Sequence, residues 1–184
     1  MKAAQFLVAA FPKLDQEKEL QRLREKYNAW LDANQPHIIV IQPFTPATLD
    51  EIQSTTEFIS QARRRLHPLA LSFRQCVEQG SYLVLNVEEG RDELLNLHRD
   101  IMGSEPLSLI KEGSSYQPVL VIGRISDPIE RGRALAEANR LGRTLGILDA
   151  LTLVKVEPDS HWHLAARFPF GIGRVDFYER LLGR

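Results

Sequence analysis

Hydrophobic positions along the chain switch repeatedly between a short continuous run, an alternating pattern and a helical spacing. Residues 5–11, QFLVAAF, form an apolar run bounded by Pro12 and are predicted as a first strand. Residues 15–32, DQEKELQRLREKYNAWLD, change to helical spacing. Leu20, Leu23, Tyr27, Trp30 and Leu31 fall on one face, the charges on the other, and Asp15 is placed to cap the first turn. His37 to Gln42 is β-branched and short, hence a strand. Thr48 to Arg65 is predicted as a helix capped by Thr48. Strands follow at His67–Val77 and Tyr82–Val87, joined by a turn at Glu78-Gln79-Gly80-Ser81. Arg91–Met102 is helical and ends near Gly103, before a loop with GSS at 113–115. Val119–Ile122 is a strand. Asp127 and Pro128 open a helix that runs to Leu141 and stops at Gly142. Residues 147–156 form a strand, EPDSH a turn, and Trp162–Phe168 the closing hairpin partner.

The predicted order is β-α-β-α-β-β-α-β-α-β-β. Without the first strand and helix, β-α-β-β occurs twice, over residues 37–87 and 119–168. The two units open on matching stretches, QPHIIVIQPF at 35–44 and QPVLVIGRI at 117–125, with His37 and Val119 82 positions apart. This internal duplication predicts two α+β lobes meeting at a groove, with the opening strands facing each other. One opening strand carries a titratable side chain, His37, where the other carries Val119.

Composition narrows the reading. The chain has 184 residues and is 43% hydrophobic, enough for one sizeable core or two small lobes in a single bilobal domain over 1–184. Charge is balanced, 23 basic against 24 acidic residues, so nothing demands nucleic acid and there is no DNA signal. Cys76 is the single cysteine, cannot form an intramolecular disulfide, and reads as a small core residue. No apolar run approaches the ~20 residues that span a membrane. The opening MKAAQFLVAAFPKLD is broken by Gln5 and Pro12 and reads as a strand rather than a signal peptide. A cytoplasmic protein without membrane contact is expected.

The two matching stretches resemble the paired motifs of the 2H phosphoesterase superfamily, in its 2′-5′ RNA ligase and cyclic nucleotide phosphodiesterase branch. PHIIVIQPF at 36–44 supplies the proline, the histidine and the closing Pro-Phe of the first H-x-T motif. PVLVIGR at 118–124 supplies the proline, glycine and arginine of the second. FLVAAFP resembles the opening strand, HPLALSFRQCVEQGSYLVLNV the central hairpin, and LTLVKVEPDSHWHLAARFPF the closing hairpin. The resemblance implies a bilobal α+β fold: two pseudo-symmetric, mainly antiparallel sheets around a central groove, with helices outside.

The motifs depart from the family pattern at three of four positions. His37 fits the first histidine, but Ile39 stands at the first threonine. Val119 stands at the second histidine and Val121 at its threonine. In the family reaction one imidazole takes a proton from the attacking group, the other gives one to the leaving oxygen, and the hydroxyls hold the phosphate oxygens. Strand alternation turns His37, Ile39 and Ile41 toward the groove, with Val119, Val121 and Gly123 opposite. Val121 keeps the shape of a threonine without its hydroxyl, and an apolar groove makes a phosphate costly to desolvate.

His37 is the candidate catalytic residue, either a relic or a ligand contact; read as an ordinary residue, it is a partly buried histidine bonded to backbone. Arg124 matches an arginine the family places near phosphate, although strand parity turns it away unless the strand ends at Gly123. Gln42 occupies its place in the first copy, and Tyr116 and Arg143 are candidate rim residues. Ile39, Ile41, Val119 and Val121 line the groove. His161 and His163 flank Trp162 without the partners of a metal site, so no metal or cofactor is expected. Arg63-Arg64-Arg65 reads as a helix-end charge cluster. The function expected is a degenerate family member without conventional catalysis, binding a nucleotide, an RNA end or a protein partner. The alternatives are an active cyclic phosphodiesterase or RNA ligase of unusual mechanism built on His37, and a scaffold whose groove is filled.

Overall fold

The computed structural model describes residues 4–27, 35–103, 116–158 and 161–178. Ten strands and four α-helices follow in the order β1 (Gln5–Ala10), β2 (Lys13–Leu14), α1 (Glu17–Tyr27), β3 (Ile38–Phe44), α2 (Leu49–Ala62), β4 (Leu69–Gln79), β5 (Tyr82–Val87), α3 (Arg91–Met102), β6 (Val119–Arg124), α4 (Pro128–Ala138), β7 (Thr144–Leu148), β8 (Ala150–Val156), β9 (Trp162–Pro169) and β10 (Asp176–Phe177). Single 3-10 turns extend α2 at Arg63–Arg65 and α4 at Asn139–Leu141.

The architecture is α+β, but the strands form one sheet rather than two. Its order is β10-β9-β8-β1-β3-β6-β5-β4-β7-β2. The two halves join into one sheet because β3 and β6 pair at one position, Ile38 with Leu120. These are equivalent residues of the two repeated stretches, so the pair sits where a pseudo-two-fold axis would pass. The repeats do not make separate lobes. The β4–β5 hairpin of the first unit pairs with β6 of the second, while β8–β9 of the second reaches β3 through β1. Each half therefore completes the other's side of the sheet.

All four helices cover one face. Leu20 and Leu23 of α1, Ile59 of α2, Leu94 and Ile101 of α3, and Ala134 of α4 are buried in a common core with Val8, Ile38, Phe73, Leu120 and Phe168. Each such Leu or Ile contributes about 2 kcal/mol on burial. The helix starts follow their caps. Thr48 Oγ1 accepts from the Glu51 amide, and Asp127 accepts from the Glu130 amide just before Pro128. Asp15 does not cap α1. Its amide and carboxylate both bond Leu145, extending the β2–β7 pairing. The expected contacts of Trp30 and Leu31, and the GSS loop at 113–115, lie outside the described residues. The strand predicted over 147–156 is two strands, β7 and β8, interrupted at Asp149.

The opposite face carries no helix among the described residues. Leu7, Ala9 and Val154 form a second, small cluster there, with Phe11, Val156 and Trp162 packed against it. Directly paired residues share a face. Ile39, Ala9, Thr152 and Arg167 therefore form one row across β3, β1, β8 and β9.

Candidate functional site

The site assembles on this helix-free face, around the two repeated strands. His37 precedes Ile38, which faces the main core, so alternation puts His37 on the open side with Ile39. It is nevertheless 4% exposed. Phe11 at the end of β1 lies against it with ring centroids 5.7 Å apart, and Trp162 of β9 crosses the face to 4.9 Å. The Gln35 carbonyl lies 3.0 Å from His37 Nδ1. A carbonyl only accepts, so Nδ1 carries the proton and Nε2 the lone pair. Burial first and the Arg24 guanidinium second, opposed by the Gln35 contact, together bring the imidazole down to about 4. His37 is neutral at neutral pH.

Arg24 of α1 is the charged residue that the sequence did not single out. Beyond the Ile38–Leu120 pair β3 and β6 part, and the Arg24 guanidinium donates to the Val121 carbonyl on that side. Its own pKa is lowered to about 10 by burial. No periodicity in α1 signals this role, because Arg24 sits among helix charges that otherwise face solvent.

The motif positions separate along both strands, and the cause is a matched pair of irregularities. Val8 pairs with Ile41 while Ala9 pairs with Ile39, so β3 holds one extra residue at Val40–Ile41. Ile41 is thereby turned into the main core, fully buried, and does not line the open face with Ile39. The Val40 carbonyl freed there is taken by His98 Nδ1 of α3 at 2.7 Å. In β6, Val84 pairs with Val121 and Leu83 with Gly123, leaving Ile122 as the extra residue. Gly123 then faces α1, where a Cβ would stand 2.8 Å from the Tyr27 carbonyl oxygen. The same slip brings Arg124 back to the side of Val121. Its guanidinium lies 5.5 Å over the Tyr82 ring and 3.4 Å from Ser81 Oγ. Gln42, its counterpart, is exposed.

Val119 and Val121 are half-buried on the open face, next to Ile39. Tyr116 lies elsewhere, stacked on the His98 ring at 4.0 Å on the α3 side. Arg143 bonds Ser72 Oγ and pairs with Glu89. Of the arginine triplet, Arg63 is buried and donates to the carbonyls of Pro169, Gly171 and Gly173, pinning the chain after β9; Arg64 and Arg65 are exposed. His161 and His163 are exposed, and among the described residues no group of His, Cys, Asp or Glu could hold a metal ion.

Beside His37 the open face contains a cavity of about 510 Å³. Phe11 and Trp162 supply aromatic wall, and Thr152, Arg167, Lys13 and Asp149 supply polar wall. Asp149 binds both cations, Lys13 at 2.7 Å and Arg167 at 2.9 Å, and they hold its carboxyl below the usual range. The sequence pattern did not reveal this cavity, because it depends on β8 and β9 pairing beside β1, a contact across about 150 residues of chain.

A pseudo-symmetric antiparallel sheet backed by helices, with the repeated strands side by side at its centre, is the architecture of the 2H phosphoesterases. Residues 12–159 match the family model described as the 2′-5′ RNA ligase superfamily, and the chain belongs to that family. No curated protein matches it in sequence. Among solved structures, Escherichia coli LigT complexed with phosphate aligns with a TM-score of 0.64 at 9% identity, covering 93% of this chain and 99% of that one. Kluyveromyces marxianus Usb1 aligns with a TM-score of 0.55 at 13% identity, over 92% and 99%. A structure described only as a phosphoesterase gives 0.66 at 9% identity, over 92% and 99%. These identities carry the fold and nothing finer. No helix of the described residues is long and apolar enough to cross a membrane.

Proposed function

We propose that this chain is a degenerate member of its family, in which the phosphoryl-transfer site has become a binding site. The observation that carries the reading is the state of the motif residues. His37, the surviving motif histidine, is buried under Phe11 and Trp162 and neutral, and its counterpart across the pseudo-two-fold is Val119. A two-histidine proton relay needs one base and one acid on opposite sides of the phosphate. Valine can be neither. Losing one partner costs ~10²–10⁴-fold in rate, and each lost phosphate donor costs ~10²–10³-fold, though such losses do not multiply fully. Ile39 and Val121 supply no donor.

The ligand favoured is a nucleotide or an RNA end. Solved LigT structures hold phosphate, NADP+, 3′-AMP or ATP, and Usb1 is solved with uridine monophosphate. A protein partner is the other ligand class for an apolar open face. Cys76, the chain's single cysteine, is buried, which supports a reducing, cytoplasmic setting. The test is hydrolysis of a 2′,3′-cyclic nucleotide by the protein and by its His37→Ala variant. The proposal expects no turnover by either; turnover by the parent that disappears in the variant would make His37 a one-histidine catalyst.

A further inference from the structure

We propose that this protein self-associates as a two-fold dimer through the outward side of α2. Two copies of the helix cross antiparallel, so that Glu57 of each meets Arg64 of the other. The helix lies on the face of the sheet opposite His37, so dimerisation leaves both open faces accessible whatever they bind.

Thr55 and Ile59 turn inward and are fully buried, while the outer side of α2 borders a groove of about 470 Å³. Gln53, Glu57, Ser60 and Arg64 follow one another along it at spacings of three and four residues, which is one stripe of the helix. Val175 and Phe177 form the opposite wall. Phe177 is 57% exposed. Ile172, 94% exposed, tops the loop whose Gly171 and Gly173 carbonyls Arg63 holds beside the end of α2. Exposed apolar groups gathered beside a groove mark an interaction surface.

The charges identify the occupant. The stripe runs from a carboxylate at Glu57, past the small Ser60, to a cation at Arg64. Glu57 accepts from the Gln53 amide, and among the described residues neither Glu57 nor Arg64 is in an ion pair. One charge of each sign gives the groove no preference for an acidic or a basic partner. A second α2 laid antiparallel presents the same charges in reverse order. A two-fold axis beside Ser60 then makes two equivalent pairs, as an isologous contact requires. The small serine at the axis lets the helices approach, and antiparallel helices oppose their dipoles. The contact is modest. A 14-residue helix is about 21 Å long, and with the strip beside it buries at most about 1,200 Å² in total. The dimer therefore dissociates in the micromolar range.

The experiment is sedimentation equilibrium of the full chain from about 5 to about 200 μM, a range that brackets a micromolar equilibrium. The apparent mass is expected to rise toward twice that of one chain, and less steeply in high salt. Glu57→Arg and Arg64→Glu each turn both pairs into like charges and should weaken association about tenfold or more. Mixed in equal amounts, the two variants should recover the parent's association, because both pairs of the mixed dimer are again opposite in sign. Recovery on mixing also separates a lost contact from a misfolded chain. Phe177→Ser should weaken the parent and the mixture alike. A parent that stays monomeric throughout overturns the proposal and leaves the groove to a different protein. Dimers unaffected by either reversal overturn it, because another surface then joins the copies. Weakening by both variants without recovery on mixing overturns the antiparallel pairing.

Discussion

Replacing His37 by Asn removes the buried imidazole while keeping a donor where Nδ1 faces the Gln35 carbonyl, and it isolates what that ring does to stability as pH changes. The folded pKa is about 4, against 6.5 for the free side chain. Above pH 6.5 the ring is neutral in both folded and unfolded chains and contributes nothing pH-dependent. As pH falls below 6.5 the unfolded chain takes up a proton that the folded chain refuses, so stability is lost. The loss grows until pH falls through 4 and then levels. At 1.36 kcal/mol per unit, the full effect is about 3 kcal/mol. Urea denaturation at pH 7.5 and 4.5 should show the parent losing about 2–3 kcal/mol more than His37→Asn, a midpoint difference of about 1 M for a typical slope. The carboxylates that Lys13, Arg167 and Lys26 hold below their usual range lose their partners' contribution in both proteins and cancel in the difference. Parallel loss of stability by the two proteins between pH 7.5 and 4 would refute the burial of His37 under Phe11 and Trp162.

Arg24→Met should raise the His37 pKa from about 4, read by NMR titration of the ring protons, and cost about 1–3 kcal/mol through the unmet Val121 carbonyl; an unmoved titration would show that the guanidinium charge is not felt. Gly123→Ala should destabilise by about 1–3 kcal/mol, because the new Cβ meets Tyr27 at 2.8 Å from its carbonyl oxygen. Gly132→Ala, whose Cβ meets nothing within 4 Å in the middle of α4, should be neutral or stabilise by about 0.5–1 kcal/mol. Equal melting temperatures for these two variants would contradict the packing of α1 on β6. Arg63→Met releases three carbonyls, one at the last residue of β9 and two beyond it, so trypsin should cleave after Arg174 faster than in the parent; unchanged cleavage would mean that the segment is held by other contacts.

The helices and most strands were legible because their periods are local. Thr48, Asp127 and Pro128 mark their helix starts wherever the rest of the chain goes, and Arg91–Met102 repeats its apolar face without help. The duplication was legible too, and the Ile38–Leu120 pair joins equivalent positions of the two copies. What could not be read was parity. Strict alternation put Ile41 on the open face and left Arg124 on the far one. An extra residue in each strand, at Val40–Ile41 and at Ile122, reverses the facing of the residues that follow it, and β3 shifts a second time before Phe44. Such a slip leaves no mark in one sequence, because Val, Ile and Gly serve either face. Asp15 misled for a related reason: a cap and a strand extension use the same carboxylate, and the distant Leu145 amide won. The covering of His37 by Trp162 and the cavity wall at Thr152 depend on β9 and β8, more than 110 residues away in sequence from His37.

The central claim is that the fold persists while the conventional chemistry does not. It is tested most directly by incubating excess protein with a 2′,3′-cyclic nucleotide and following ring opening across pH 5–8. The account predicts no conversion above the buffer rate at any pH. Conversion by the parent that is abolished by His37→Ala would contradict it, and would require that Trp162 and Phe11 move aside to bring the His37 imidazole to the phosphate.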